Sequence, residues 1–203
     1  MKTMVLAKFK YSDTHISIML LNKIERVILQ EVVKEKNRRI YGREIANKYK
    51  LNQKSVANAL IRLEKGNILK YKTEGKNKYY FLNEFNPYIK EIVQISEVEK
   101  KYEFLKKNKV IEKLIREIEG QKSKIIILFG SYAKGTATKN SDLDLYVVGD
   151  FDKGNLEKDY RIKIQVVKSN EEKFDSRNPL IKEILENHIV LKGIEEFVDT
   201  WQR

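Results

Sequence analysis

The sequence predicts an α+β protein built from two domains. In the first 85 residues, apolar side chains recur every three or four positions along helix-like segments, and two strand-like runs follow them. In the second half, short continuous apolar runs typical of buried strands alternate with helix-like segments. Residues 1–90 contain 20 Lys and Arg against 8 Asp and Glu, whereas residues 91–203 contain 21 of each. The whole net charge of +12 therefore lies in the first half, which favours a polyanionic partner for that half.

Composition narrows the class of protein further. The chain has no cysteine, which excludes disulfides and cysteine-ligated zinc. The longest apolar runs are too short to span a bilayer, and the first residues lack the apolar segment of a signal peptide. We therefore expect a cytoplasmic protein with no membrane partner. The two histidines, His15 and His188, have no partner at metal-ligand spacing and are expected to be structural or at the surface.

Three helices and a hairpin are predicted in the first half. Asp13 or Thr14 is the expected cap of the first helix, and Asn52 is the expected cap of the third, which Gly66 ends. A hairpin follows, because two β-forming runs, ILKYKTE and KYYFLN, flank a Gly-Lys-Asn turn. The predicted helices span residues 16–36, 42–49 and 53–65.

This order of elements resembles the winged helix-turn-helix of bacterial and archaeal transcription regulators, over residues 14–85. The resemblance implies that the third helix enters the major groove of DNA and that the hairpin, the wing, lies along the backbone. Outward side chains of the helix would contact bases or nearby phosphates, and wing lysines would neutralise phosphates. These residues are Gln53, Lys54, Ser55, Asn58 and Arg62 on the helix, and Lys70, Lys72, Lys76 and Lys78 on the wing. The alternatives are RNA as the nucleic acid, or a basic face on a protein–protein module.

The middle of the chain connects the two halves. After Asn86-Pro87, residues 88–107 predict a helix, which either packs on one of the domains as a connector or pairs two copies into a homodimer. Residues 110–119 predict a further helix that Gly120 ends. The predicted domains are residues 1–90 and 108–203, joined by the connecting helix at 91–107.

A glycine-serine pair and two carboxylates stand beside strands in the second half. Gly130-Ser131 directly follows the apolar run at 125–129, and Asp142 and Asp144 begin the next strand, at 142–148. Because strand side chains alternate between faces, the two carboxylates and Tyr146 share an open face, while the leucines and valine between them face the core. Two like charges this close repel, and a bound divalent cation would remove the energetic cost of that repulsion. Oxygen ligands favour Mg²⁺ or Mn²⁺, and a glycine lets the backbone approach a phosphate.

The spacing Gly-Ser-x10-Asp-x-Asp resembles the signature of the DNA polymerase beta-like nucleotidyltransferase superfamily, in particular its minimal nucleotidyltransferases. The resemblance covers residues 105–195 and implies a mixed sheet with flanking helices. By this resemblance, Gly130 and Ser131 hold a nucleoside triphosphate (NTP), and Asp142 and Asp144 are the catalytic, metal-binding residues. The implied reaction transfers a nucleoside monophosphate to the hydroxyl of a protein or a small molecule, with Mg²⁺ or Mn²⁺ as cofactor.

One residue departs from that pattern. Active members carry a third carboxylate on a following strand, and in the matching segment here, residues 161–167, Gln165 holds the place. A glutamine offers one neutral oxygen and cannot act as a general base. Two functions stay open: a nucleotidyltransferase, with a protein acceptor such as a cognate toxin, or a catalytically impaired transcription regulator that senses a nucleotide.

Overall fold

The computed structural model describes residues 21–34, 38–169 and 178–202, and for residues 201 and 202 only the backbone. These residues form two compact units, one from residues 21–32 and 38–86 and the other from residues 33–34 and from Pro87 onward. Each unit combines helices with a sheet, which confirms the α+β class. Within the described ranges, no helix has the length and hydropathy needed to cross a membrane.

The described part of the first unit contains three helices and a three-stranded antiparallel sheet. The helices are α1 (Lys23–Val32), α2 (Gly42–Lys48) and α3 (Gln53–Lys65), and the strands are β1 (Ile40–Tyr41), β2 (Leu69–Glu74) and β3 (Asn77–Leu82). The strand order is β1-β3-β2. Helices α2 and α3 and the hairpin lie where the sequence predicted them, whereas the two-residue strand β1 was not predicted.

Helix α1 begins later than the sequence predicted. The Oδ1 of Asn22 accepts hydrogen bonds from the backbone N–H groups of Ile24 at 2.9 Å and Glu25 at 3.1 Å. In return, Glu25 Oε2 accepts from the backbone N–H of Asn22 at 2.9 Å, which completes a capping box. The continuous helix predicted over residues 16–36 is therefore wrong, because this cap starts a helix within it. The predicted caps, Asp13 and Thr14, lie outside the described residues.

The second unit is built around a four-stranded mixed sheet. Its helices are α4 (Ile89–Lys107), α5 (Glu112–Glu119), α6 (Gly130–Lys134), α7 (Leu156–Tyr160), α8 (Pro179–Glu186) and α9 (Ile194–Gln202), and its strands are β4 (Ile125–Phe129), β5 (Leu143–Val148), β6 (Ile164–Ser169) and β7 (Ile189–Lys192). The strand order is β6-β5-β4-β7, with β4 antiparallel to both neighbours and β6 parallel to β5. The mixed sheet with flanking helices agrees with the prediction.

Helix α4 packs within the second unit, against β7 and α9. Glu97 of α4 links this helix to His188, the residue before β7, because its Oε2 lies 3.1 Å from His188 Nε2. Its Oε1 accepts from Lys100 Nζ of the same helix at 2.6 Å. The ring Nδ1 of His188 faces the carbonyl oxygens of Ile184 and Leu185, at 3.1 and 3.0 Å. The structural role predicted for His188 is confirmed, and His15 lies outside the described residues.

Candidate functional sites

The outward face of α3 carries the side chains that the resemblance assigns to DNA. Its opposite face buries Val56, Ala59, Leu60 and Leu63, so the polar side chains are left toward solvent. Gln53, Lys54, Asn58 and Arg62 are exposed, and Ser55 is partly buried. The backbone N–H of Ser55 donates to Asn52 Oδ1 at 3.1 Å, so Ser55 also belongs to the helix cap.

Arg62 has a structural partner that the sequence did not reveal. Its Nε donates to Glu25 Oε1 at 2.5 Å, although half of the Arg62 side chain remains exposed. Glu25 is 7% exposed, and a carboxylate so buried requires hydrogen-bond donors. Arg62 therefore ties α3 to α1, and it cannot be treated as a side chain held only for nucleic acid.

The wing lysines lie on two different faces of the hairpin. The register pairs Lys70 with Phe81 and Lys72 with Tyr79, which places both lysines on the outer face. Lys78 pairs with Thr73, on the face that buries Leu69, Tyr80 and Leu82 further along the hairpin, and its Nζ stands 4.0 Å from the ring centroid of Tyr71. Lys76 lies in the turn between the strands. The four lysines therefore do not form a single contact surface.

In the second unit, the pairing of β4 with β5 brings the glycine-serine turn to the carboxylates. Phe129, the last residue of β4, pairs with Asp144, and Gly130 begins α6 directly afterwards. Gly130 has φ +68°, and a Cβ at this position would stand 2.1 Å from Asp144 Oδ2. Any other residue there would meet backbone strain and would have to displace the Asp144 side chain. Ser131 is partly buried in the first turn of α6, and its carbonyl accepts from the N–H of Thr136 at 2.9 Å.

The two carboxylates stand on one face of β5, but that face is open only at the start of the strand. Asp142 and Asp144 are partly buried, while Leu143, Leu145 and Val147 on the other face are completely buried, as predicted. Tyr146, expected on the open face, is 4% exposed. That part of the prediction is wrong, because the sheet is covered on both faces beyond Asp144.

Gln165 lies beside the carboxylates, in the place where a third acid was expected. In the parallel register of β5 and β6, Gln165 is the partner of Asp144, and its Nε2 donates to Asp142 Oδ2 at 2.6 Å. Lys163 Nζ lies 3.5 Å from the same oxygen. Asp142 is therefore held by one amide and one ammonium group.

These neighbours move the pKa values of the two carboxyls in opposite directions. The hydrogen bond from Gln165 and the charge of Lys163 lower the pKa of Asp142, against a smaller opposing effect of burial. Burial, reinforced by the charges of Asp142 and Glu183, raises the pKa of Asp144, and Lys134 partly offsets that rise. The pair is therefore asymmetric, with Asp142 the more readily ionised carboxyl.

An ion pair at the edge of this site joins the glycine-serine helix to α8. Lys134 Nζ, in the last turn of α6, lies 2.6 Å from Glu183 Oε1. Both side chains are partly exposed. This ion pair links α6 to α8 and places one positive and one negative charge near Asp144.

The donor set suits one divalent cation. Among the described residues, no group of three or more histidine, cysteine, aspartate or glutamate side chains is arranged to hold a metal. Asp142 and Asp144 offer carboxylate oxygens, the ligands that Mg²⁺ and Mn²⁺ prefer, beside a turn whose backbone can approach phosphate. A second cation does not fit equally well, because Gln165 and Lys163 occupy the side where a third carboxylate would stand.

Comparison with known families supports this reading of the second unit. Residues 107–198 match the family model of the nucleotidyltransferase domain. The match spans β4, β5 and β6, and with them the glycine-serine turn, the carboxylate pair and Gln165. No curated protein and no solved structure matches the chain. The nucleotidyltransferase-like domain is thus supported as the source of a general capacity for nucleoside monophosphate transfer.

Three charged residues at this site escaped the sequence reasoning. The sequence could have predicted Lys163 at this site, because Lys163 stands two positions before Gln165 and strand alternation places both side chains on the same face. Lys134 lies four residues after Gly130, but its partner Glu183 is 49 residues away and follows no spacing rule. Long-range partners of this kind appear only when the chain is folded.

Proposed function

We propose that the nucleotidyltransferase-like domain binds an NTP together with Mg²⁺ or Mn²⁺ and transfers its nucleoside monophosphate to a hydroxyl group of a protein or small molecule. The observation that carries the proposal is the close approach of Gly130 to Asp144, within residues that match the nucleotidyltransferase family model. This approach puts a phosphate-compatible turn and two carboxylates at one edge of the sheet.

In such a transfer, the acceptor oxygen forms a bond to the α-phosphorus, the bond from that phosphorus to the bridging oxygen breaks, and pyrophosphate leaves. A divalent cation held by Asp142 and Asp144 would supply neutralisation of the triphosphate charge. Gly130 and Ser131 would position the phosphates. The Gln165 amide cannot accept the proton of the acceptor hydroxyl, so that proton passes to solvent, and we expect slow turnover.

The decisive experiment incubates the purified full-length protein with labelled NTPs and Mg²⁺ or Mn²⁺. We expect pyrophosphate release or label transfer in the wild type, and at most residual activity in Asp142→Asn and Asp144→Asn. Asp152→Asn is a matched control, because Asp152 is an exposed aspartate beyond the other end of β5 and its carboxylate accepts from the N–H of Gly154. Turnover that survives both site substitutions would reject the proposed site.

The second candidate function is nucleotide sensing without turnover. The hydrogen bond from Gln165 to Asp142 favours it, since an amide replaces the group that would act as a base. A sensor would be stabilised against heat by an NTP with Mg²⁺ and would release no pyrophosphate. Neither stabilisation nor turnover would reject both functions of this domain.

We further propose that the first unit binds DNA through α3 and the wing, and so joins nucleotide chemistry to transcription regulation. The concentration of the net charge of +12 in residues 1–90 and the exposure of Lys54 and Asn58 support this assignment. We also propose a cognate toxin as a candidate protein acceptor and α4 as a candidate homodimer contact. Mixing the protein with a candidate acceptor and labelled NTP tests the former, and sedimentation equilibrium tests the latter.

A further inference from the structure

Two donors converge on one carboxylate oxygen at the candidate active site. Asp142 Oδ2 accepts from Gln165 Nε2 at 2.6 Å and lies 3.5 Å from Lys163 Nζ. A two-metal transferase needs carboxylate oxygens to hold the second cation, whereas here the same side presents an amide hydrogen and a positive charge. Both groups repel a cation that would approach Asp142 from that side.

The backbone holds Lys163 in this place. The N–H of Leu143, which lies between the two aspartates, donates to the carbonyl of Lys163 at 2.8 Å. Beside it, the N–H of Ile164 donates to Glu157 Oε1 at 2.7 Å. The Lys163 backbone is therefore anchored to β5 at the carboxylates, while its side chain, 69% exposed, keeps the freedom to reach a ligand.

The net charge of the site can be the same with one metal ion as in a two-metal site. A site with three carboxylates and two divalent cations carries a net charge of +1. Two carboxylates, one lysine ammonium and one divalent cation give the same net charge. A lysine ammonium binds phosphate oxygens as a compact positive charge. Lys163 can therefore neutralise part of the triphosphate charge as a second cation would.

We propose that this site binds one divalent cation per chain, and that the Lys163 ammonium takes the electrostatic place of a second one. The proposal rests on the proposed function, since it assumes that a metal–nucleotide complex binds at Asp142 and Asp144. Lys163 contacts Asp142 until the nucleotide arrives and then contacts its phosphates. Gln165 keeps Asp142 oriented in both states.

The test counts metal ions directly and does not depend on turnover. Full-length protein is titrated with Mn²⁺ in the presence of a non-hydrolysable NTP analogue, and bound Mn²⁺ is measured by electron paramagnetic resonance. We expect one Mn²⁺ per chain in the wild type. In the double variant Lys163→Met with Gln165→Asp, which restores three carboxylates and removes the ammonium, we expect two.

The same titration of single variants at Lys163 measures how much the lysine contributes to binding of the Mn²⁺–nucleotide complex. Lys163→Met should weaken binding of the Mn²⁺–nucleotide complex roughly tenfold, and Lys163→Arg should retain most of the affinity because it keeps the charge. Lys168→Met is the matched control, since Lys168 lies on β6 at the far end of the register from Asp142 and should leave affinity unchanged. Melting curves confirm that each variant is folded.

The outcomes separate the two proposals. Two Mn²⁺ per chain in the wild type would overturn the one-cation site and leave the proposed transferase intact. Equal nucleotide affinity in wild type and Lys163→Met would also overturn it. No bound Mn²⁺ with the analogue present would reject the metal–nucleotide site itself, and both proposals with it.

Discussion

The side-chain amide of Gln165 donates to Asp142 across 2.6 Å, from the strand position where a third carboxylate was expected. The amide satisfies one oxygen of Asp142 without adding negative charge, and this hydrogen bond is the main reason that the pKa of Asp142 is lowered. One oxygen of Asp142 therefore has a hydrogen-bond donor before any ligand binds.

Replacing that amide by an acid tests this relationship. In Gln165→Glu, a carboxylate of the same shape replaces the amide that donates to Asp142. The carboxylates of residues 165 and 142 then face each other and repel. We expect a melting temperature below that of the wild type without metal, and a larger rise on adding Mg²⁺. Gln165→Ala, which removes the hydrogen bond without adding charge, should show no enlarged response to Mg²⁺. Equal metal responses in all three proteins would contradict this account.

Alanine substitutions at Gly130 and Gly135 test whether the turn beside Asp144 takes part in nucleotide binding. Both have positive φ, +68° and +72°, but a Cβ at Gly130 would collide with Asp144, whereas a Cβ at Gly135 has no atom within 4 Å. Gly135→Ala should cost about 1 kcal/mol from backbone strain alone. Gly130→Ala should cost more and should abolish nucleotide-dependent stabilisation, because Asp144 is displaced.

Thermal melting with and without NTP and Mg²⁺ measures both glycine variants. The Gly135→Ala protein is the control for strain, and its response to nucleotide should equal that of the wild type. If Gly130→Ala still responds to nucleotide like the wild type, then the close approach of this turn to Asp144 has no part in binding.

The elements that the sequence predicted well are those set by local rules. The Asn52 cap of α3, the hairpin turn and the apolar strand at 125–129 each follow from a few neighbouring residues. The place of Gln165 came from the family resemblance, which implies a third carboxylate on that strand, and the register of the two strands puts Gln165 beside Asp144.

The features that sequence reasoning missed depend on partners distant in the chain. Strand β1 has only two residues and exists because Ile40 and Tyr41 pair with Tyr80 and Tyr79 of the hairpin. The Arg62–Glu25 pair joins residues 37 apart, and it gives a residue that was expected to contact DNA a structural role as well. The start of α1 was missed for a different reason, since its apolar pattern continued upstream and masked the cap at Asn22.

Lys54 and Arg62 should respond differently to alanine substitution. Lys54→Ala removes an exposed charge, so we expect weaker DNA binding, a salt-dependence slope reduced by about 0.9, and an unchanged melting temperature. Arg62→Ala removes a donor from the buried carboxylate of Glu25 and should cost about 2 kcal/mol of stability.

Fluorescence anisotropy on duplex DNA at several salt concentrations, paired with thermal melting, separates these effects. Lys122→Ala, an exposed lysine of the second unit, is the charge-matched control and should leave the salt slope unchanged. An unaltered salt slope in Lys54→Ala would argue against α3 as the DNA-contacting helix. Wild-type stability in Arg62→Ala would argue against its structural role.

The buried Glu97–Lys100–His188 cluster makes the stability of the second unit depend on pH. Burial alone would raise the pKa of Glu97, but the charges of Lys100 and His188 outweigh it and lower the pKa from 4.5 to about 2. Because the folded-state pKa lies below the unfolded one, the stabilisation is complete above pH 4.5 and is lost as the pH falls toward 2.

Glu97→Gln leaves the nearly buried Lys100 ammonium without its counter-charge, and we expect it to cost about 3 kcal/mol near neutral pH. The difference from wild type should shrink between pH 4.5 and 2, since the wild-type carboxyl then becomes neutral as well. Urea unfolding followed by circular dichroism measures the free energy of unfolding of each variant. Glu112→Gln, which removes surface ion pairs with Arg116 and Lys109, should change stability little. A Glu97→Gln deficit that stays constant across this pH range would contradict the ionised cluster.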